Sequence, residues 1–277
     1  MLEQLVALVV PPRCAACRAP GRHAADVLCG ACRRALPWLA GLPCCERCAL
    51  PLPHVGRCPA RDAPFDAAWS AVAYAGAARD AMHALKFSAA RPLARVMAAQ
   101  IAANAPGDLL PVARREAAAA PHIPPGELLA VVRTEGEAAA APRIAPGELL
   151  PVVRTEGAGV ARAAGIALVT VPAHPARRRA RGFDPAELLA RALARRTGLA
   201  LVAALRRKAA PSRQLGADRE TRTAAGRLAF EARGRAPRSA ILVDDVHTTG
   251  ATLSACADAL KAAGAQRVVA LTWARTL

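Results

Sequence analysis

ILVDDVHTTGATLSAC, residues 241–256, is the stretch on which the reading of the fold turns. An apolar, β-branched run ends on two adjacent acids, Asp244 and Asp245. A threonine-rich turn around Gly250 follows, and then apolar residues at helical spacing. This is the pattern of a buried strand, a polar loop and a helix. Outward from it the alternation recurs. GIALVTVPAH (165–174) reads as a strand, DPAELLARALARRTG (184–198) as a helix and LALVAALRR (199–207) as a strand. DRETRTAAGRL (218–228) reads as a short helix or loop, and QRVVALTWA (266–274) as a final strand. Continuous apolar strands alternating with helices predict an α/β fold with a parallel sheet covered on both faces. Ligands in such sheets bind beyond the carboxyl ends of the strands, which is where Asp244 and Asp245 fall.

Three readings compete for the polar turn. Helix capping explains one or two of its residues, not the whole run. A nucleotide P-loop needs Gly-Lys-Ser/Thr, which is absent. A monophosphate cradle fits better. Backbone N–H groups and hydroxyls from Thr248, Thr249, Gly250, Ala251 and Thr252 would surround a phosphate at a helix N-terminus. Gly250 would let the backbone approach closely. Two carboxylates cannot bind that phosphate, but they suit the hydroxyls of an attached sugar.

The rest of the chain sets bounds. Its 277 residues allow a substantial core. No run of about 18 apolar residues is present, so no membrane span is expected. MLEQLVALVVPP at the start lacks a basic segment and a cleavage site, so the chain reads as cytoplasmic. The formal net charge is +17, and residues 173–238 hold 17 Arg or Lys against 5 acids. Such a field permits phosphate ligands or nucleic acid, but arginine and alanine are abundant throughout, so the charge alone identifies neither.

Eight of the nine cysteines lie between Cys14 and Cys58, marking a cysteine-rich module over 1–62, with the larger domain over 63–277. AARDAMHALKF (77–87) and ARPLARVMAAQIAAN (90–104) have helical spacing. Over 105–157 the segments APGDLLPVARR, PPGELLAVVRT and APGELLPVVRT recur at intervals of 19 and 21 residues between alanine-rich spacers, and the insert is placed at 106–160. Three copies rich in Pro, Gly and Ala bury little, so this is read as a repetitive, low-complexity insert in a surface loop.

Asp-Asp-Val-His-Thr-Thr-Gly-Ala-Thr at the end of an apolar strand resembles the phosphoribosyl-pyrophosphate (PRPP) motif of type I phosphoribosyltransferases, apart from His247, where that family usually has an aliphatic residue. VTVPAHPARRRARGFDPAELLARALA (169–194) is similar to a segment of ComF-type proteins, which join a cysteine-rich module to a phosphoribosyltransferase domain. Arg181, Gly182 and Phe183 match it, whereas Asp184 and Pro185 replace Asn-Gln, as an N-cap followed by proline at N1. ALKF (84–87) and the region around Gln214, Arg219 and Phe230 also resemble the family. The resemblance implies a type I phosphoribosyltransferase-like domain that binds Mg²⁺-PRPP. Asp244 and Asp245 would orient the ribose hydroxyls and stabilise charge as pyrophosphate leaves, and Thr248–Thr252 would hold the 5′-phosphate. The VPAHPARRR loop would meet pyrophosphate through His174, Arg178 and Arg181, with Arg177 and Arg179 as further candidates. A basic stretch, 206–222, would act as a cover. The competing implication is a non-catalytic protein of natural competence and DNA uptake, binding single-stranded DNA beside a helicase-like partner.

Cys14/Cys17, Cys29/Cys32 and Cys45/Cys48 form three Cys-x-x-Cys pairs, which in a reducing compartment suit structural zinc. Pairing is either sequential (Cys14, Cys17, Cys29, Cys32) or interleaved (Cys14, Cys17, Cys45, Cys48). Related proteins usually carry a fourth pair; here Cys58 stands alone, with His54 or Asp62 as a weak substitute. One tightly held zinc per chain is therefore expected.

Overall fold

A computed structural model describes residues 13–21, 27–88, 90–111, 165–208 and 230–277. The insert beyond residue 111, DRETRTAAGRL, Gln214, Arg219 and most of the expected cover over 206–222 lie outside the described residues.

The chain is a mixed α/β structure with a zinc ribbon at its N-terminus. A five-stranded, wholly parallel sheet contains β1 (Ala67–Ala73), β2 (Ile166–Thr170), β3 (Ala200–Val202), β6 (Ser239–His247) and β7 (Arg267–Arg275), in the order β1-β7-β6-β2-β3. The helices are α1 (Gly30–Arg34), α2 (Gly76–Phe87), α3 (Leu93–Asn104), α4 (Pro175–Arg181), α5 (Pro185–Thr197) and α6 (Ala251–Ala262). No helix among the described residues is long and apolar enough to cross a membrane.

The central strands are apolar on both faces because both are covered. Leu168, Ile241, Val243, Leu271 and Trp273 pack with α2, α3 and α5 on one side, and Val169, Leu242, Val268 and Ala270 pack with α6 on the other. The two crossovers leave adjacent strands in opposite directions. After β2 the chain passes through α4 and α5 to β3, and after β6 it passes through α6 to β7. A crevice therefore opens between the carboxyl ends of β2 and β6, the switch point at which such sheets bind ligands.

Three details differ from the sequence reading. LALVAALRR is not one strand: β3 ends at Val202, and β4 (Leu205–Arg207) pairs antiparallel with β5 (Phe230–Ala232) outside the main sheet. VPAHPARRR is not a loop throughout. Residues 175–181 form α4, because His174 caps its first turn, Pro175 suits N1 and Gly182 (φ 72°) ends it in the left-handed conformation. Finally, β6 runs on to His247, so this residue belongs to the strand and not to the loop.

Residues 37–46 cover the free edge of β1. Leu39 N–H donates to Ala71 O (2.9 Å), Ala73 N–H to Pro37 O (2.8 Å) and Ala68 N–H to Glu46 O (2.7 Å). An edge that could template aggregation is thereby paired within the chain. The two halves of the cysteine module flank this strap and join opposite cores. Cys14, Leu28, Cys32 and Leu36 belong with α2 and α3, and Cys48 belongs with Phe65 and α6.

Candidate functional site: a strand-end acidic pair backed by two zinc ribbons

Two clusters can each hold a metal ion. Cys14, Cys17, Cys29 and Cys32 form one; Cys45, Cys48, His54 and Cys58 form the other, with ligand atoms within 4.8 Å of one another in each. Cys17 and Cys29 sulfurs are 3.7 Å apart, and those of Cys45 and Cys58 are 3.8 Å apart. A tetrahedral site with zinc–sulfur bonds of about 2.3 Å has edges of about 3.8 Å, so the spacing suits zinc. All these cysteines are unbridged. His54 Nδ1 is buried with no hydrogen-bond partner among the described residues, which suits a ligand nitrogen. Burial raises the Cys14 and Cys45 thiols, but hydrogen bonds to their sulfurs outweigh it and bring each down to about 6. Each ribbon thus presents a ready thiolate.

Two expectations are settled here. Pairing in the first cluster is sequential, not interleaved. The expectation of one tightly held zinc is overturned, because His54 completes a second four-ligand set. The chain from Cys48 to Cys58 turns back through Pro51 and Pro53, which returns His54 to the knuckle. Asp62 is not part of the cluster.

At the end of β6, Asp244 Oδ1 accepts the Asp245 N–H at 2.9 Å. Burial, and next the charge of Asp245, push the Asp244 carboxyl well above the usual carboxylate range. The Asp245 carboxylate pairs with Lys86 Nζ at 3.0 Å, both side chains being largely buried. Lys86 lies on the last turn of α2, in the ALKF segment, and was not anticipated as a site residue. Nothing local distinguishes it from a solvated helix lysine; the distant packing of α2 on the sheet aims it.

The threonine turn leads into α6, whose N-cap is Gly250; Thr249 Oγ1 accepts the Ala251 N–H at 3.4 Å. Thr248 and Thr249 are exposed, Thr252 is half-buried, and Gly250 has φ 82°. The N–H groups of a helix's first turn have no partner within the helix and face outward to an incoming group. What approaches Gly250 closely is His247: a Cβ added at Gly250 would lie 2.9 Å from His247 Nε2. The His247 ring is buried beneath the turn and meets Phe65 edge-on, with centroids 6.2 Å apart. Burial, and then the charge of Arg275, lower His247 to about 4, so it is a neutral support.

Across the crevice, Asp184 holds the loop after β2. One oxygen caps α5 through Ala186 N–H (3.0 Å) and Glu187 N–H (3.5 Å), and the other accepts Ala173 N–H at 3.0 Å. The N-cap read from sequence is present, and its second oxygen fixes the loop ahead of α4. His174 Nδ1 accepts Ala176 N–H at 3.2 Å, so this nitrogen caps α4. Arg178 and Arg179 are exposed on α4. The Arg181 guanidinium lies 4.9 Å from the ring centroid of Phe87, which is 62% exposed and also meets His83. Arg207, at the start of the basic stretch read as a cover (206–222), is not among the individual site residues named from sequence. It stacks on Phe230 at 4.7 Å, and its buried Nε has no hydrogen-bond partner among the described residues. Burial lowers its guanidinium below the ordinary arginine range, with smaller contributions from the charges of Cys256, Arg177 and Asp244.

Residues 5–61 match the double zinc ribbon domain, in agreement with the two clusters. The chain therefore carries a double zinc ribbon with two structural zinc-binding sites at its N-terminus, one of four cysteines and one of three cysteines and a histidine. No curated protein matches the chain.

Proposed function

We propose that the chain is a ComF-type phosphoribosyltransferase that binds Mg²⁺-PRPP in the crevice between β2 and β6. The observation that carries this reading is the placement of Asp244 and Asp245 at a switch-point strand end, one turn before the N-terminus of α6. A phosphate at residues 248–252 would take the outward N–H groups and the helix dipole, while the attached ribose would turn its hydroxyls toward the two carboxyls. The substrate brings its own Mg²⁺. Pyrophosphate would face the β2 side, where Arg177 and Arg207 supply positive charge.

As the bond from the ribose to pyrophosphate breaks and a nitrogen nucleophile takes its place, positive charge grows on the sugar. Asp245 stabilises that charge, and Lys86 holds its carboxylate in position until the hydroxyls arrive. Asp244, its carboxyl pushed above the usual carboxylate range by burial and by the charge of Asp245, lies beside it to meet a second ribose hydroxyl.

A second reading, binding of single-stranded DNA in natural competence, is favoured by one observation. Phe87 is exposed beside Arg181 and His83, an arrangement on which a base can stack. Titration calorimetry separates the readings. The enzyme reading expects saturable heat with Mg²⁺-PRPP, weakened at least about tenfold in Asp245→Asn. Absence of heat with PRPP, together with oligonucleotide binding that Phe87→Ala abolishes, would replace it with the DNA reading.

A further inference from the structure

Arg275, the last residue of β7, is 4% exposed and spans two regions that sequence reading treats as separate. Its Nε donates to the carbonyl of Cys48, a ligand of the second ribbon, at 2.8 Å. A terminal nitrogen donates to the carbonyls of His247, the last residue of β6, at 3.0 Å and of Thr248, the first residue of the phosphate turn, at 2.6 Å. The guanidinium fork is rigid and planar, so moving one set of acceptors displaces the other. A second contact runs in parallel. Phe65, fully buried in the core beside Cys48, meets the His247 ring, and that ring lies under Gly250. The charge suits the link as well. A zinc ion with three thiolates and one imidazole carries a net charge of about −1, and Arg275 donates to the backbone of one of its ligands.

We infer that Arg275 is a positioning residue through which the second zinc ribbon sets the shape of the 247–252 turn and hence its affinity for a phosphate. The inference rests on the phosphate-cradle reading for its ligand, but not for the coupling itself. Bidentate geometry cannot be supplied by lysine, so Arg275→Lys keeps the charge and loses the coupling. The first ribbon is tied elsewhere. It shares a core with α2, and Arg18 donates to Ser88 just beyond that helix at 3.2 Å.

Hydrogen exchange on the zinc-loaded full chain, read peptide by peptide, tests the coupling without any ligand. Cys58→Ser, which removes the second zinc, is expected to speed exchange across 247–252 by about tenfold or more. Cys17→Ser, which removes the first, is expected to speed exchange in α2 and leave 247–252 unchanged. Arg275→Lys should reproduce the Cys58→Ser effect at 247–252 while retaining two zincs. In calorimetry with Mg²⁺-PRPP, Arg275→Lys and Cys58→Ser should each weaken binding by about tenfold, and the double variant no further. Unchanged exchange at 247–252 in Cys58→Ser, or losses that multiply in the double variant, would overturn the inference. If wild-type protein binds no PRPP, the phosphate reading fails and the exchange pattern still decides the coupling.

Discussion

Cys14–Ala19 and Cys45–Leu50 close the same turn. In each, the first cysteine's N–H donates to the carbonyl five residues on at 2.8 Å, and the residue after the second cysteine is left-handed, Arg18 at φ 63° and Ala49 at φ 58°. The two knuckles then diverge. In the first, the turn holds Ala15 and Ala16, and the anchor is apolar: Cys14, Leu28, Cys32 and Leu36 complete the core shared with α2 and α3. In the second, Arg47 stands where the first has Ala16. It donates to the carbonyls of Phe65 (2.6 Å), Asp66 (2.9 Å) and Ala63 (2.7 Å), tying the knuckle to the start of β1. One backbone motif, anchored by two kinds of force, supports two parts of one crevice. The first backs the helix that carries Lys86, and the second backs the turn after Asp245.

The largest effects come from the metal. Wild-type protein purified without chelator should hold two zincs per chain. Cys14→Ser and Cys45→Ser should each leave one and lower the melting temperature markedly, because structural zinc contributes folding free energy directly. His54→Ala should weaken the second site by more than the roughly 100-fold that outer-shell changes cost, whereas His54→Cys should keep two zincs. A wild-type content of one would restore the expectation read from the cysteine count.

That expectation shows where sequence legibility ends. Three Cys-x-x-Cys pairs announce zinc through local spacing, and DDVHTTGAT announces a strand, an acidic end and a helix start in the same way. His54 carries no such signature, since its place in the cluster depends on a turn ten residues long. Lys86 and Arg207 are equally silent, because packing of α2 on the sheet and the departure of β4 from it bring them in. Arg275 reads as the end of an apolar strand; its role follows from long-range pairing of β7 with β1 and β6. Asp184 was half legible: its capping is local, its hold on Ala173 is not.

Arg47→Ala should cost about 3 kcal/mol in chemical denaturation, since it strands several partly buried carbonyls at once. Ala16→Ser at the matching position should change stability by no more than about 0.5 kcal/mol. Equal losses at the two would show that the knuckles are anchored alike.

His247 ties the second ribbon to acid sensitivity. Its folded value of about 4 lies below the ordinary 6.5, so the unfolded chain binds the extra proton. The stabilisation is complete above about pH 6.5 and is lost as pH falls toward 4. Between pH 7 and 4, wild-type protein should therefore lose up to about 3 kcal/mol more than His247→Val. Parallel curves for the two proteins would contradict a buried neutral imidazole.

Gly250→Ala should cost about 1–2 kcal/mol from its left-handed backbone alone, and more from the approach to His247 Nε2 at 2.9 Å. Combining it with His247→Val should recover the second part and not the first.

The most direct measurement is the backbone amide spectrum of zinc-loaded, isotopically labelled protein during titration with Mg²⁺-PRPP. Binding at the strand end predicts saturable shifts of Asp244, Asp245 and residues 248–252, with Lys86 following as its carboxylate partner takes up ribose hydroxyls. Saturable shifts confined to other residues, or none at all with both zincs in place, would contradict the assignment of this crevice as a PRPP site.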